Sequence, residues 1–195
     1  LEIVCHNCGK VKLDRNNEQF REAVNTRDPK KRFDKIWRLC KPKNICESDV
    51  NPEEQDASDP KAALKGSHGG CGNTQPEVRQ TALELFGTWK LPKDEENEGA
   101  QPEKKKITPE MALAVFRNIS TEDIYDLGLS IDYARPEWMI ITVLPVPPPP
   151  VRPSISMDGT GQGMRGEDDL TYKLGDILRA NSNVRQAQQE GSPAH

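Results

Sequence analysis

The stretch Cys5-His6-Asn7-Cys8-Gly9-Lys10 contains two cysteines separated by only two residues. Thiolates at this spacing can bind the same zinc ion at about 2.3 Å each, and Gly9 lets the backbone turn tightly beneath the sulfur atoms. A tetrahedral zinc ion then needs two more ligands from further along the chain. The motif therefore predicts a segment stabilised by a metal ion.

Four downstream residues are candidates for the missing ligands: Cys40, Cys46, His68 and Cys71. Glycines flank Cys71 and permit close approach of the backbone, and Cys46 follows a predicted helix in a turn. Cys40 instead continues the apolar stripe of that helix, which favours a core thiol. The pattern favours Cys5, Cys8, Cys46 and Cys71 as the four ligands. Four thiolates leave no open coordination position, so a zinc ion at this site is expected to be structural.

Two alternatives for these cysteines stay open, namely free thiols and a redox-active pair at Cys5 and Cys8. The separations between Cys8, Cys46 and Cys71 exceed those of ordinary zinc fingers, which weakens the metal signal. A redox pair is typical of a βαβ context, which the sequence around Cys5 lacks. The odd total of five cysteines, without a secretory signal, argues against a disulfide framework.

The composition limits both the core and the partners. With 27 Lys+Arg against 31 Asp+Glu, the 195-residue chain has a net charge of −4, which excludes a generally basic nucleic-acid coat. Only 34% of the residues are hydrophobic and 5% aromatic, so we expect a metal, a partner or both to supplement the core. The longest apolar run, residues 138–144, is too short for a membrane-spanning helix. With Leu1 as its first residue, the sequence is expected to be a piece of a longer intracellular protein without membrane association.

Capping and hydrophobic patterns predict an α+β fold class with short elements. Asp28 and Pro29 begin a helix that runs to about Leu39. Further helices are predicted after Thr108, from Ser120 to Gly128 and after residue 167, and strands at residues 83–89 and 139–144.

We predict four successive segments. They are a zinc-binding segment with an acidic insert (1–76, insert 47–60), a core segment with a flexible linker (77–144, linker 91–106), a proline arm with a glycine-rich loop (145–166), and a helical segment (167–195). Six prolines at residues 145–153 predict an extended polyproline II arm, for which a ligand of SH3 or WW domains is an alternative interpretation.

A local basic cluster contrasts with the acidic chain. Residues 27–43 contain eight basic and two acidic side chains, most of them on the predicted helix. Either this is a solvated helix face or it faces phosphate groups.

Several segments, in this order, resemble the largest subunit of eukaryotic RNA polymerase II, with a fungal character. The resemblance extends over the whole chain, and the proline segment followed by Gly-Glu-Asp-Asp-Leu-Thr is highly specific. The segments are residues 5–10, 30–33, 43–47, 69–76, 135–139, 144–154 and 166–171. The glycine-rich loop interior and the acidic insert depart from the family pattern.

The resemblance implies part of the clamp, the mobile arm that closes over DNA and the RNA–DNA hybrid. It implies one structural Zn²⁺ on the four cysteines above, and it leaves Cys40 out. The loop at about 154–166 is similar to the lid, which helps separate the transcript from the template. A nuclear location and contacts with the other polymerase subunits, the DNA template and the hybrid are also implied. Residues expected near nucleic acid are Lys30, Lys31, Arg32, Arg152 and Arg165.

The resemblance also implies a catalytic role for the complete subunit as a DNA-directed RNA polymerase, a nucleotidyltransferase that uses two Mg²⁺ ions. The aspartate-rich loop that binds Mg²⁺ in the family is not in this sequence, so the chain alone is expected to be inactive. A different hypothesis is a freestanding zinc-dependent module that binds a protein or RNA through the basic helix and the proline arm.

Overall fold

Short helices and short strands alternate in the computed structural model, which describes residues 1–49, 68–90 and 102–192. The predicted α+β class is confirmed. The residues form two compact units, Leu1–Ile141 and Thr142–His195. The division into four segments stays a prediction, and residues 50–60 of the acidic insert and 91–101 of the linker lie outside the described residues.

The first unit contains four helices and a three-stranded sheet within its described residues. In chain order they are α1 (Glu18–Val24), α2 (Pro29–Cys40), β1 (Glu77–Thr81), β2 (Glu84–Trp89), β3 (Glu103–Ile107), α3 (Pro109–Arg117) and α4 (Thr121–Asp126), followed by a 3-10 helix at Pro136–Met139.

Side-chain caps define where the helices begin. Asp28, Thr108 and Ser120 each accept a hydrogen bond from a backbone N–H in the first turn of α2, α3 and α4. These three predicted starts are confirmed. Sequence analysis missed α1, a seven-residue helix capped by Asn17, because its two buried side chains make too weak a periodic pattern.

The core lies between the first residues, α1, α2, α3 and α4. Phe20, Ile36 and Ile124 are fully buried at its centre. Cys40 is also fully buried in this cluster, which confirms the prediction of a core thiol. The remaining members of the cluster are Ile3, Val4, Val11, Leu13, Ala23, Val115, Ile119 and Leu127.

The sheet is antiparallel in the order β1-β2-β3, and β2 confirms the predicted strand at 83–89. The predicted flexible linker is wrong at its carboxyl end, because Glu103–Ile107 pairs with β2. This strand forms although it lacks apolar alternation, because backbone pairing with β2 and lysine side chains packed over aromatic rings stabilise it. Lys104 Nζ lies 4.5 Å from the centroid of the Phe86 ring, and Lys105 Nζ lies 5.9 Å from that of Trp89.

One further prediction is wrong, and another is wrong in part. Residues 139–144 do not form a strand, since Pro136–Met139 is a 3-10 helix and no described strand pairs with the residues that follow. The proline arm is extended at Pro148 (φ −68°, ψ 160°), but Pro149–Val151 forms a 3-10 turn. Proline fixes φ near −65°, which suits both conformations.

The second unit contains a two-stranded hairpin, β4 (Ile155–Ser156) with β5 (Arg165–Gly166), and the long helix α5 (Asp169–Gln189). Asp168 caps α5, as the acidic residues before it predicted. The Arg152 guanidinium donates to the Pro147 carbonyl (2.8 Å) and to Thr171 Oγ1 (3.3 Å), which ties the proline turn to α5. Among the described helices, none is long and apolar enough to cross a membrane.

Candidate metal centre

Four thiols from three distant parts of the sequence converge in the first unit. The Sγ atoms of Cys5, Cys8, Cys46 and Cys71 all lie within 4.8 Å of one another. Cys5 and Cys71 are 3.5 Å apart, and Cys8 and Cys46 are 3.7 Å apart. Sulfur atoms arranged tetrahedrally at about 2.3 Å from zinc are separated by about 3.8 Å. The arrangement therefore fits a tetrahedral metal ion such as zinc.

A tight turn presents the first two thiols. The Gly9 N–H donates to the Cys5 carbonyl (2.9 Å), and the Cys5 N–H donates to the Lys10 carbonyl (2.8 Å). Gly9 has φ +76°, and a Cβ at this position would lie 2.5 Å from Asn118 Cβ. Only glycine satisfies both requirements, so the expected role of Gly9 beneath the sulfurs is confirmed.

The other two thiols are presented by two segments that run side by side. The Cys46 N–H donates to the Asn73 carbonyl (3.0 Å), and the Gly72 N–H donates to the Cys46 carbonyl (2.8 Å). The two segments lie so close together that residue 70 must be glycine. A Cβ there would lie 2.7 Å from Cys46 Sγ and still closer to the Glu47 carbonyl. Backbone hydrogen bonds thus fix the positions of Cys46 and Cys71 relative to each other.

Hydrogen bonds converge on two of the sulfur atoms. Cys5 Sγ accepts from the Gln75 side-chain amide (3.1 Å), and at longer range from the N–H groups of Asn7 (3.4 Å) and Cys8 (3.5 Å). Cys71 Sγ accepts from Asn73 Nδ2 at 3.3 Å. Donors directed at sulfur stabilise the thiolate form, which is the form that binds metal.

Gln75 is a functional residue that sequence analysis missed. It is 4% exposed, and its Oε1 accepts from the His6 N–H (2.9 Å) while Nε2 also donates to the Asn73 carbonyl (2.9 Å). One amide thus joins the 5–8 turn to the 73–75 segment. No local pattern could have found it, because its partners in the 5–8 turn are 69 or 70 residues away in sequence.

The thiols differ in acidity. Burial raises the pKa of Cys46, and burial also raises that of Cys8. At Cys71 burial acts to raise the pKa, but hydrogen bonds from the backbone and side chain of Asn73 outweigh it and lower the pKa to about 6. Burial raises the pKa of Cys40 to about 12, consistent with an inert core thiol.

The two other candidate ligands lie outside this cluster. Cys40 belongs to the core, and His68 is buried with its Nδ1 3.6 Å from Asp14 Oδ2. Lys10 Nζ donates to the His68 carbonyl, so this lysine ties the 5–10 turn to the segment that leads to Cys71.

The predicted basic residues are distributed over both units. On α2, Lys30 and Lys31 are exposed, and their side chains have no polar partner among the described residues. Arg32 donates to the carbonyls of Thr26 (2.9 Å) and Tyr125 (3.2 Å) and so has a structural role. In the second unit, Arg165 donates to Ser154 Oγ and to the Ser154 carbonyl (both 3.1 Å).

Comparison with known proteins agrees with this architecture. The family described as RNA polymerase Rpb1, domain 1, matches residues 1–195. Proteins of this family are subunits of DNA-directed RNA polymerase, a nucleotidyltransferase that works with other subunits and with nucleic acid. The match covers the cysteine cluster, the proline turn and the helix α5. The chain therefore belongs to the Rpb1 family and represents the amino-terminal region of a largest RNA polymerase subunit.

Proposed function

We propose that this chain is part of the largest subunit of a nuclear RNA polymerase II of fungal type, and that it forms a zinc-stabilised segment of the clamp. The observation that carries the proposal is the convergence of four thiols within 4.8 Å in a chain that matches the Rpb1 family throughout. In this assignment the segment is structural. Catalysis with Mg²⁺ belongs to other parts of the subunit, and the chain alone is expected not to synthesise RNA.

The proposed metal is Zn²⁺, held by Cys5, Cys8, Cys46 and Cys71. Soft thiolates in a tetrahedral arrangement favour zinc over Mg²⁺ or Ca²⁺, which prefer oxygen ligands. Four protein ligands leave no position for water or substrate, so the ion would contribute to folding and not to catalysis. The ion would crosslink the 5–10 turn to the paired segments around residues 46 and 71.

The loop at residues 154–166 is proposed to be the lid. Its ends pair as β4 and β5, and its interior has Gly159 and Gly161 at positive φ. Met157 and Met164 are 73% and 82% exposed, so the hairpin presents apolar side chains to its surroundings. Such side chains could contact bases at the point where the transcript leaves the template, with Arg152 and Arg165 near the phosphates.

Site-specific photo-crosslinking in the assembled polymerase tests this function. A photoreactive residue in place of Met164 is expected to crosslink to nucleic acid at the upstream end of the RNA–DNA hybrid. The same residue in place of Tyr133, which is 88% exposed in the other unit, serves as the matched control. Failure of the Met164 probe to label nucleic acid in transcribing complexes would overturn the lid assignment.

The alternative of a freestanding module is tested by the length of the parent reading frame. A frame that continues past His195 to the aspartate-rich Mg²⁺ loop supports the polymerase assignment. A stop codon at this point would contradict it.

A further inference from the structure

One face of the three-stranded sheet has an aromatic ring between cations. In the antiparallel register, Arg79 lies opposite Phe86, and Phe86 lies opposite Lys106. These three side chains therefore form one row across β1, β2 and β3, with the ring on the central strand. Lys104 lies on the same face, two residues before Lys106, and its Nζ is 4.5 Å from the centroid of the Phe86 ring. Three cations thus flank a single phenylalanine.

The two faces of this sheet have different surroundings. Side chains alternate along a strand, so Trp89 and Ile107 lie on the face opposite to that of Phe86. Ile107 is buried, and the Trp89 ring lies edge-on to His6 with centroids 6.5 Å apart. By contrast, the three cations are exposed and Phe86 is half-buried. The row of Arg79, Phe86 and Lys106 therefore belongs to the outer face of the sheet.

The outer face has an excess of positive charge in a chain whose net charge is −4. No carboxylate in the described part of the chain forms an ion pair with Lys104. Arg79 pairs with Glu77 (2.8 Å) and Lys106 pairs with Glu84 (2.5 Å), and both pairs are exposed to solvent. Exposed ion pairs contribute little to stability, so a phosphate group can replace these carboxylates at low cost. The face is therefore complementary to a polyanion.

The aromatic ring narrows the class of polyanion. Proteins that bind single-stranded nucleic acid combine cations for the phosphates with aromatic side chains on which bases stack. The bases of a duplex are stacked on each other, so only an unpaired strand offers its base faces to Phe86. The exposed contact of Lys104 with this ring is weaker than the stacking of a base, so a base can displace the ammonium group, which then binds a phosphate.

We propose that the outer face of Arg79, Phe86, Lys104 and Lys106 binds single-stranded DNA, with one base stacked on the ring and the phosphates at the cations. The inference rests on the proposed function, because a polymerase that holds an RNA–DNA hybrid leaves the other DNA strand unpaired. Both carboxylates of the face are paired with cations, so neither is free to accept from a ribose 2′-hydroxyl. Phosphates and base faces remain as the groups that are recognised, and DNA supplies both.

The test uses photo-crosslinking in the assembled, transcribing polymerase. A photoreactive residue in place of Thr81, which lies on the same face as Phe86, is expected to label the DNA strand that is not paired with RNA. Gln80 is the matched control, since it is the exposed neighbour whose side chain lies on the opposite face. Labelling of RNA or of a protein subunit by the Thr81 probe, or equal labelling of DNA by both probes, would overturn the inference.

A second measurement assigns the binding to the ring and the cations. Fluorescence anisotropy with the complete 195-residue chain and a labelled oligothymidylate is expected to show binding roughly 5- to 100-fold weaker for Phe86→Leu, which keeps an apolar side chain but removes the stacking surface. Lys104→Gln is expected to lower the salt dependence by about 0.7 in slope, as for one lost phosphate contact on a single strand. Lys173→Gln, which removes an exposed lysine of α5, serves as the control. Unchanged binding in both Phe86→Leu and Lys104→Gln would overturn the inference.

The outcomes also separate this inference from the proposed function. If the Met164 probe labels nucleic acid and the Thr81 probe does not, the DNA-binding face is overturned and the lid assignment stands. If the Thr81 probe labels the unpaired DNA strand and the Met164 probe labels no nucleic acid, the lid assignment fails and the DNA-binding face is supported.

Discussion

The Sγ atoms of Cys5 and Cys71 lie 3.5 Å apart although 66 residues separate them in sequence. Closing so long a loop costs conformational entropy. The contact is maintained by backbone pairing around Cys46 and by the Gln75 amide, which donates to Cys5 Sγ. A metal ion at this point would crosslink these segments.

Replacing one cluster thiol should abolish stable zinc binding, whereas replacing the core thiol should not. We expect about one zinc per chain for the wild type and for Cys40→Ala, and close to none for Cys71→Ser, because three thiolates no longer complete the tetrahedron. Metal analysis after gel filtration measures this. Zinc retained in Cys71→Ser but lost in Cys40→Ala would contradict the ligand assignment.

Gly70→Ala should weaken the centre without removing a ligand. The new Cβ would lie 2.7 Å from Cys46 Sγ and would also collide with the Glu47 carbonyl, so these segments must separate. We expect a cost of about 1–3 kcal/mol in the zinc-loaded protein, as for other overpacked sites. Chemical denaturation measures the change.

Gly175→Ala is the matched control for this change, because nothing lies within 4 Å of a Cβ there. In the interior of α5 it should be neutral or stabilise by about 0.5–1 kcal/mol. Equal destabilisation by both substitutions would show that the close contact at Gly70 is not the cause.

The ion pair between Arg15 and Asp126 should contribute measurably to stability. Arg15 donates from Nε to Asp126 Oδ2 (3.0 Å) and from Nη2 to Oδ1 (2.5 Å), and the Asp126 side chain is only 10% exposed. Arg15→Met leaves this carboxylate without its partner, at an expected cost of about 1–3 kcal/mol. Arg179→Met breaks an exposed pair with Asp176 and should change the free energy of unfolding by less than about 0.5 kcal/mol.

Lys30 and Lys31 on α2 should affect nucleic-acid binding, whereas Arg32 should affect folding. In the assembled polymerase, Lys30→Gln with Lys31→Gln is expected to lower the salt dependence of DNA retention, by about one in slope per lost phosphate contact. Arg38→Gln, which removes a cation already paired with Asp34, is the control. An unchanged slope would favour the solvated-face interpretation of this helix.

For Arg32 the structure predicts a different effect. Its guanidinium binds the Thr26 and Tyr125 carbonyls, so Arg32→Gln should lower the melting temperature of the isolated chain. A variant with unchanged thermal stability would contradict this role.

In the metal-free protein, the cysteines should be alkylated in a defined order. The lowered pKa of Cys71, about 6, means that its reactive thiolate increases as pH rises through about 6 and is already dominant near neutrality. The pKa of Cys40 is about 12, so this thiol should stay unreactive near neutrality while the core is intact. Iodoacetamide labelling followed by peptide mass spectrometry between about pH 5 and 8 measures both rates. Labelling of Cys40 before Cys71 would contradict the assignment.

The sequence by itself determined the local features. The Asp28-Pro29, Thr108-Pro109 and Ser120 patterns predicted three helix starts, because a capping side chain binds the N–H groups of its own first turn. The separation of Cys40 from the other cysteines was also predicted correctly, since its position on an apolar helical stripe determines its burial. These features depend on neighbours within a few residues.

Apart from the four cysteines, whose meeting sequence analysis predicted, only the tertiary structure decided which distant groups meet. β3 has no apolar pattern of its own and exists because β2 supplies its hydrogen-bond partners, whereas residues 139–144 are apolar but have no described strand beside them. Gln75 likewise acquires its role through contacts with residues remote in sequence. Long-range pairing depends on the path of the whole chain, which the spacing of neighbouring residues does not specify.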